Sequence, residues 1–184
     1  MTEPSLSVVL ALDNKTVDVL YKPNISTAEE ICIHLCKQLG IGTVARHLFA
    51  LQISSKQHFL IPSEKLSERE LNFTLRIRYK VSNTEKLRKL DGKAYDYYYH
   101  QVRNDVVENK VQDLEFKRYG SSLVGLGVTD MYRVMLEKDI PMDTILSDYK
   151  KYIPKEAIKK YAIFLKQPVR MSLLNIKKTG VSPL

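Results

Sequence analysis

The chain has 184 residues, of which 44% are apolar, and a formal net charge of +8. That apolar share is enough for packed cores, and the length suits one large domain or two small lobes. No apolar run reaches the roughly 18 residues of a membrane-spanning helix, and the opening MTEPSLSVVLALDNK puts no basic segment ahead of its short apolar stretch. Neither a membrane span nor a secretory signal is expected, and the default is an intracellular protein.

The first eighty residues read as a ββαββ pattern. Leu6, Val8, Leu10 and Leu12 alternate with other residues, Asp13-Asn14-Lys15 supplies a turn, and Val17, Val19 and Tyr21 resume the alternation, which describes a hairpin. Pro23 ends the second strand. Ser26 followed by Glu29 predicts a capping box at the head of a helix over 26–39, with Ala28, Ile31, Cys32, Leu35 and Leu39 on its apolar stripe and Gly40 as its stop. Cys32 and Cys36, the two cysteines, lie four apart on that helix, where side chains project side by side and bridge poorly; buried, reduced thiols are expected. Apolar runs at 48–53 and 58–61 and a last alternating strand, Phe73, Leu75, Ile77 and Tyr79, complete a ubiquitin-like roll. Arg76, Arg78 and Lys80 fall on the opposite face of that strand, so solvent exposure is expected for them.

Strand periodicity stops near Val81, and 82–93 reads as a linker. Beyond it the pattern is helical. Tyr95, Tyr98, Tyr99, Val102 and Val106 form one stripe of a helix that Asp91 or Gly92 could start. Further helices are predicted over 121–138, 142–151 and 155–166. In the last of these, Lys155, Lys159 and Lys166 form one stripe and Ile158, Tyr161, Ala162 and Leu165 the other. Pro168 is expected to break or kink any continuation, which leaves 167–184 an uncertain tail. The architecture expected is therefore α+β: a ubiquitin-like β-grasp lobe over 5–81, the linker 82–93, and an all-α lobe over 94–166.

Charge is uneven along this plan. Residues 1–80 hold 10 basic and 8 acidic side chains, whereas residues 150–184 hold 9 basic ones against Glu156 alone, an excess equal to the net charge of the whole chain. A concentrated positive field points to an anionic partner. Lys150, Lys151, Lys155, Lys159 and Lys160 are the candidate residues for binding an anionic partner or a receptor.

Several apparent motifs carry no chemistry. The run Gly120-Ser121-Ser122-Leu123-Val124-Gly125-Leu126-Gly127 lacks the Gly-Lys-Ser/Thr ending that a phosphate loop needs, and no Gly-x-Gly-x-x-Gly follows a strand. These glycines are expected to serve helix packing. On a helix His34 points about 200° away from Cys32, so Cys32, His34 and Cys36 cannot share one metal ion. His47, His58 and His100 sit in separate elements without a nucleophile or carboxylate at recognisable spacing. No catalytic, cofactor or metal residues are expected.

Four segments, His47-Leu48-Phe49-Ala50-Leu51, Leu75-Arg76-Ile77-Arg78-Tyr79, Tyr97-Tyr98-Tyr99-His100-Gln101-Val102-Arg103-Asn104-Asp105-Val106 and Asp148-Tyr149-Lys150-Lys151-Tyr152-Ile153-Pro154, resemble in order and spacing the FERM region of Janus tyrosine kinases. The resemblance runs from about Leu6 to Leu165. It implies a ubiquitin-like first lobe and a helical second lobe like that of acyl-CoA-binding proteins. A third FERM lobe, SH2-like, pseudokinase and kinase domains would belong to a parent protein. This chain contains no Val-Ala-Ile-Lys, His-Arg-Asp or Asp-Phe-Gly motif, so it is expected to be non-catalytic. The function implied is docking, at the inner face of a membrane with anionic lipid, onto the cytoplasmic tail of a cytokine receptor whose proline-rich segment enters the second lobe. The alternative is a FERM adaptor that links phosphoinositides or receptors to the cytoskeleton. Nucleic acid is not an expected partner, because the aromatic residues fall on apolar helix stripes rather than beside the charge.

Overall fold

The computed structural model describes residues 4–12, 14–67, 72–111 and 114–180. The chain divides into two compact units, Met1–Val102 and Arg103–Leu184.

The first unit is built on a five-stranded mixed sheet. Its strands are β1 (Ser5–Val9), β2 (Thr16–Leu20), β3 (Phe49–Ile53), β4 (His58–Phe59) and β5 (Phe73–Ile77), in the order β2-β1-β5-β3-β4. β1 and β5 run parallel at the centre and the other neighbours are antiparallel, with Leu6 opposite Val19 and Leu51 opposite Leu75. Alternation sets this register: Leu6, Val8, Val19, Phe73, Leu75 and Ile77 are buried while Ser5, Ser7, Thr16 and Asp18 are exposed. The hairpin turn places Asn14 at a φ of 51°, a conformation asparagine tolerates, while Asp13 lies outside the described residues.

Helix α1 (Ala28–Gln38) packs Ala28, Ile31, Cys32, Leu35 and Cys36 into the core. Its capping box is formed one residue later than the sequence pattern indicates. Thr27 Oγ1 accepts from the Glu30 N–H and Glu30 Oε2 accepts from the Thr27 N–H, whereas Ser26 Oγ accepts from the Lys22 N–H in the preceding turn. At the other end Gly40, at φ 71°, lets the Gly40 N–H reach Lys37 O and the Ile41 N–H reach Cys36 O. That is the double bond of a Schellman stop, closed by the buried Ile41. Cys32 and Cys36 are buried and form no disulfide. A short α2 (Thr43–Arg46) leads into β3.

Two expectations are corrected here. The supposed linker holds a helix, α3 (Thr84–Leu90), capped by Asn83 Oδ1 on the Lys86 N–H and anchored by the buried Leu87. Only one of its side chains is buried, so it shows no periodic stripe. The second correction concerns α4 (Gly92–Val107), whose first turn is capped by Asp91 Oδ1 on the Ala94 N–H. Its innermost residues are Ala94, Tyr97 and Gln101, while Tyr95, Tyr98 and Tyr99 are half-buried and Val102 is exposed. The Tyr97 hydroxyl donates to Leu75 O and accepts from the Ala11 N–H, and its ring meets Phe49 edge-on at 5.1 Å. Gln101 exchanges two bonds with Ile77, its Oε1 accepting at 2.8 Å and its Nε2 donating at 3.1 Å. Both side chains supply the last sheet residues with the partners that a further strand would give.

The second unit is helical: α5 (Phe116–Glu137), α6 (Met142–Ser147), a 3₁₀ turn η1 (Tyr149–Lys151) and α7 (Lys155–Thr179). Val128 and Met131 of α5, Ile145 and Leu146 of α6, Tyr149 of η1, and Ala157, Val169, Leu173 and Ile176 of α7 share one core. Gly127 has a packing role, since a Cβ there would lie 2.5 Å from Tyr152 O and 2.8 Å from Ile153 Cδ1. The supposed tail is corrected as well, because α7 runs through Pro168 to Thr179. Pro168 forfeits one helical bond, a loss of about 3 kcal/mol, but burial of Val169, Leu173 and Ile176 returns about 1.5–3 kcal/mol each and outweighs it. The departure from helical geometry falls at Tyr161, at φ −134° and ψ 16°, instead of at the proline.

Candidate functional site

The five candidate lysines occupy η1 and the first turns of α7, and all five are exposed. Three have carboxylate partners: Lys151 with Asp148 at 2.6 Å, Lys155 with Glu108 at 2.5 Å and Lys160 with Glu156 at 2.7 Å. Hydrogen bonds to Asp148 and Glu156 raise the pKa of Lys151 and Lys160 above the ordinary lysine value. Each pair is exposed and weak in water, yet the carboxylate offsets the positive charge that an anion would meet. Lys150 and Lys159 have no ion pair among the described residues.

Beneath η1 lies a buried charge cluster that periodicity does not reveal. Asp130, on the inward side of α5, accepts from Arg103 Nε at 2.8 Å and from Arg133 Nη2 at 2.8 Å and Nε at 3.0 Å. Arg103 also donates from Nη2 to Lys151 O at 2.8 Å and stacks its guanidinium on Tyr152, 5.2 Å from the ring centre. Arg103, the first residue of the second unit, thus joins α5 to η1 through its planar fork and fixes the backbone that carries Lys150 and Lys151. The only signal in sequence would be an aspartate on an otherwise apolar face, between Val128, Met131 and Val134.

A groove of about 770 Å³ opens between α5 and α7. Gly120, Ser121 and Gly125 on one wall are too small to fill it, and Val124, Val128, Tyr161, Leu165 and Pro168 give it an apolar lining. Lys117, Arg118 and Lys160 add positive charge. Its volume is in the range of peptide side-chain and small-ligand sites. An apolar segment bearing an acidic residue fits this lining and charge. Of the candidate lysines, Lys160 alone borders the groove.

The first unit has a smaller concavity of about 40 Å³, lined by Cys32, Arg46, His47, Ala50 and Arg78 among others. It admits a water molecule or a single functional group. Burial pushes the Cys32 and Cys36 thiols up to about 12, so neither is a thiolate nucleophile at neutral pH. Arg76 and Arg78 are half-buried rather than solvent-facing; Arg78 stacks on Tyr79 and has a buried Nε without a hydrogen bond. Among the described residues no three His, Cys, Asp or Glu side chains converge on a metal position.

Comparison with known proteins agrees with this architecture. Residues 6–88 match the family model of the FERM F1 ubiquitin-like domain. The chain is 25% identical over 177 residues to the tyrosine-protein kinase hopscotch of Drosophila melanogaster, which covers 88% of this chain but 15% of the kinase. Among solved structures, a MyTH4-FERM MF2 domain of Dictyostelium discoideum myosin VII superposes over 100% of this chain and 39% of that one, with TM-score 0.63 and 13% identity. The complex of FERM and C-terminal domain of Drosophila Merlin covers 98% and 60%, with TM-score 0.61 and 12% identity. The chain therefore spans about 15% of the length of that kinase. Residues 6–88 thus match the FERM F1 ubiquitin-like domain, the chain has the fold seen in FERM structures, and its sequence is similar over most of its length to part of a tyrosine-protein kinase.

Proposed function

We propose that this module attaches a Janus-kinase-like signalling protein to the cytoplasmic tail of a cytokine receptor, close to the inner face of the membrane. The observation that carries the reading is the α5–α7 groove, apolar in its lining and basic at Lys117, Arg118 and Lys160. A membrane-proximal tail segment rich in proline and aliphatic residues, with an acidic side chain, has the complementary chemistry. Lys150 and Lys159 extend the positive field along η1 and α7, so the same lobe faces anionic lipid while it holds the tail. The likeness in sequence to a tyrosine-protein kinase over most of the chain favours this reading over a cytoskeletal adaptor.

Fluorescence polarisation with labelled membrane-proximal receptor peptides tests it. Ser121→Trp, which fills the groove from an exposed position, and the pair Lys117→Glu with Arg118→Glu should each weaken peptide binding roughly tenfold or more while the helical lobe stays folded. Peptide affinity unchanged in both variants would overturn the assignment of the groove.

A further inference from the structure

The outer face of α7 combines two features that a soluble helix seldom combines. Ile163 is 90% exposed, Phe164 76% and Met171 62%, three large apolar side chains within nine residues of one helix. The same helix carries Lys159, Lys166, Arg170, Lys177 and Lys178, with no acidic residue anywhere from 159 to 178; Lys160 is paired with Glu156. Beyond the break at Tyr161 the helix sorts these residues into lines. Phe164, Met171 and Lys178 follow at intervals of seven, and Ile163, Lys166, Arg170 and Lys177 at i, i+3, i+7 and i+14. Val169, Leu173 and Ile176 occupy the opposite side and are buried in the core, which holds the helix rotation in place.

We propose that this face inserts into an anionic lipid surface, with Phe164, Ile163 and Met171 entering the acyl boundary and the basic residues staying among the headgroups. The inference rests on the membrane-proximal placement proposed above and adds penetration to it. Charge complementarity selects the occupant: a face that carries Lys159, Lys166, Arg170, Lys177 and Lys178 with no acidic residue among them repels a second copy of itself, whereas each Lys or Arg close to an anionic leaflet raises partitioning about fivefold. Long lysine stems can lie along apolar surface with the ammonium in the headgroup layer, so the cations need not oppose insertion. No helix among the described residues is long and apolar enough to cross a bilayer, so α7 would lie in the interface.

The chain contains no tryptophan, so Phe164→Trp creates a single fluorescent reporter at the tip of the face. With vesicles of phosphatidylserine and phosphatidylcholine, its emission should shift to the blue and be quenched by brominated acyl chains; phosphatidylcholine alone should leave it unchanged. In cosedimentation, Ile163→Ser with Phe164→Ser should lower binding to the anionic vesicles at least about tenfold, with thermal unfolding unaltered, because two apolar side chains no longer leave water. Leu136→Ser, at an exposed apolar position on α5, should leave binding as it was. Salt-sensitive binding with unshifted tryptophan emission would overturn insertion and leave the surface-charge reading standing. Absence of vesicle binding, or a blue shift that follows protein concentration without lipid, would also overturn insertion, the latter in favour of a second copy. The vesicle arms contain no receptor peptide, so failure of groove docking and failure of insertion are read separately.

Discussion

The two units handle buried polarity in opposite ways. In the first, Tyr97 and Gln101 are uncharged and spend their hydrogen bonds on the backbone of Ala11, Leu75 and Ile77, so the core closes with neutral groups. In the second, the buried polar group is Asp130, balanced by the side chains of Arg103 and Arg133. A neutral bond to backbone is worth about 1 kcal/mol and its loss strands an uncharged group, whereas a buried carboxylate is tolerated only while its partners remain. The difference teaches where each unit is vulnerable, and that the second is organised around positioning charge.

The sharpest way to break the contrast is Asp130→Ala. Removing the carboxylate leaves Arg103 and Arg133 facing each other and releases η1, and a loss of about 3–5 kcal/mol is expected. Chemical denaturation should report it, with hydrogen-exchange protection falling in α5 and around Lys151. Gly127→Ala comes next. Its new Cβ meets the Tyr152 backbone, which cannot swing aside as a side-chain tip could, and about 2–3 kcal/mol of destabilisation is expected by the same assay. Tyr97→Phe in the first unit should cost about 2 kcal/mol, the worth of two hydrogen bonds with the ring packing kept. A larger loss than that of Asp130→Ala would reverse the comparison.

The thiols give a pH signature confined to the first unit. Burial raises the Cys32 and Cys36 pKa from 9.0 to about 12, so the folded state retains protons that the unfolded chain releases. Their contribution is fully present below about pH 9 and is lost as the pH rises through 9 towards 12. Alkylation at pH 8 should therefore be slow until denaturant opens the lobe, and rapid labelling of the native protein would contradict the burial. The smallest stability effect is expected for Lys150→Glu with Lys159→Glu, within about 0.5 kcal/mol per site, since both are exposed. Binding to anionic vesicles should nonetheless fall, by about 1 kcal/mol for each cation removed, and more so at low salt.

Local order made much of the first lobe legible. The hairpin, the stop at Gly40 and the last strand follow from alternation and from one residue's freedom at positive φ, interactions that span a few neighbours and so leave a periodic trace. The capping box slipped by one residue because Ser26 and Thr27 both offer a hydroxyl and only the turn from Lys22 decides which one is free to cap. The basic character of 150–184 was also plain, as charge simply adds along a chain.

Tertiary structure alone decided the rest. Tyr97 and Gln101 became core residues because a sheet edge needed donors and acceptors, a demand made across 22 and 24 positions of sequence separation. Pro168 stayed inside α7 because burial of the residues after it outweighs the bond it lacks. Three of the five candidate lysines found acids, one of them Glu108, 47 positions away, and no count of charges could anticipate that geometry. Periodicity records which residues share a face, but whether that face meets a core, a carboxylate or solvent is settled only when distant segments pack, which is why Ile163 and Phe164 emerge as exposed only in the folded chain.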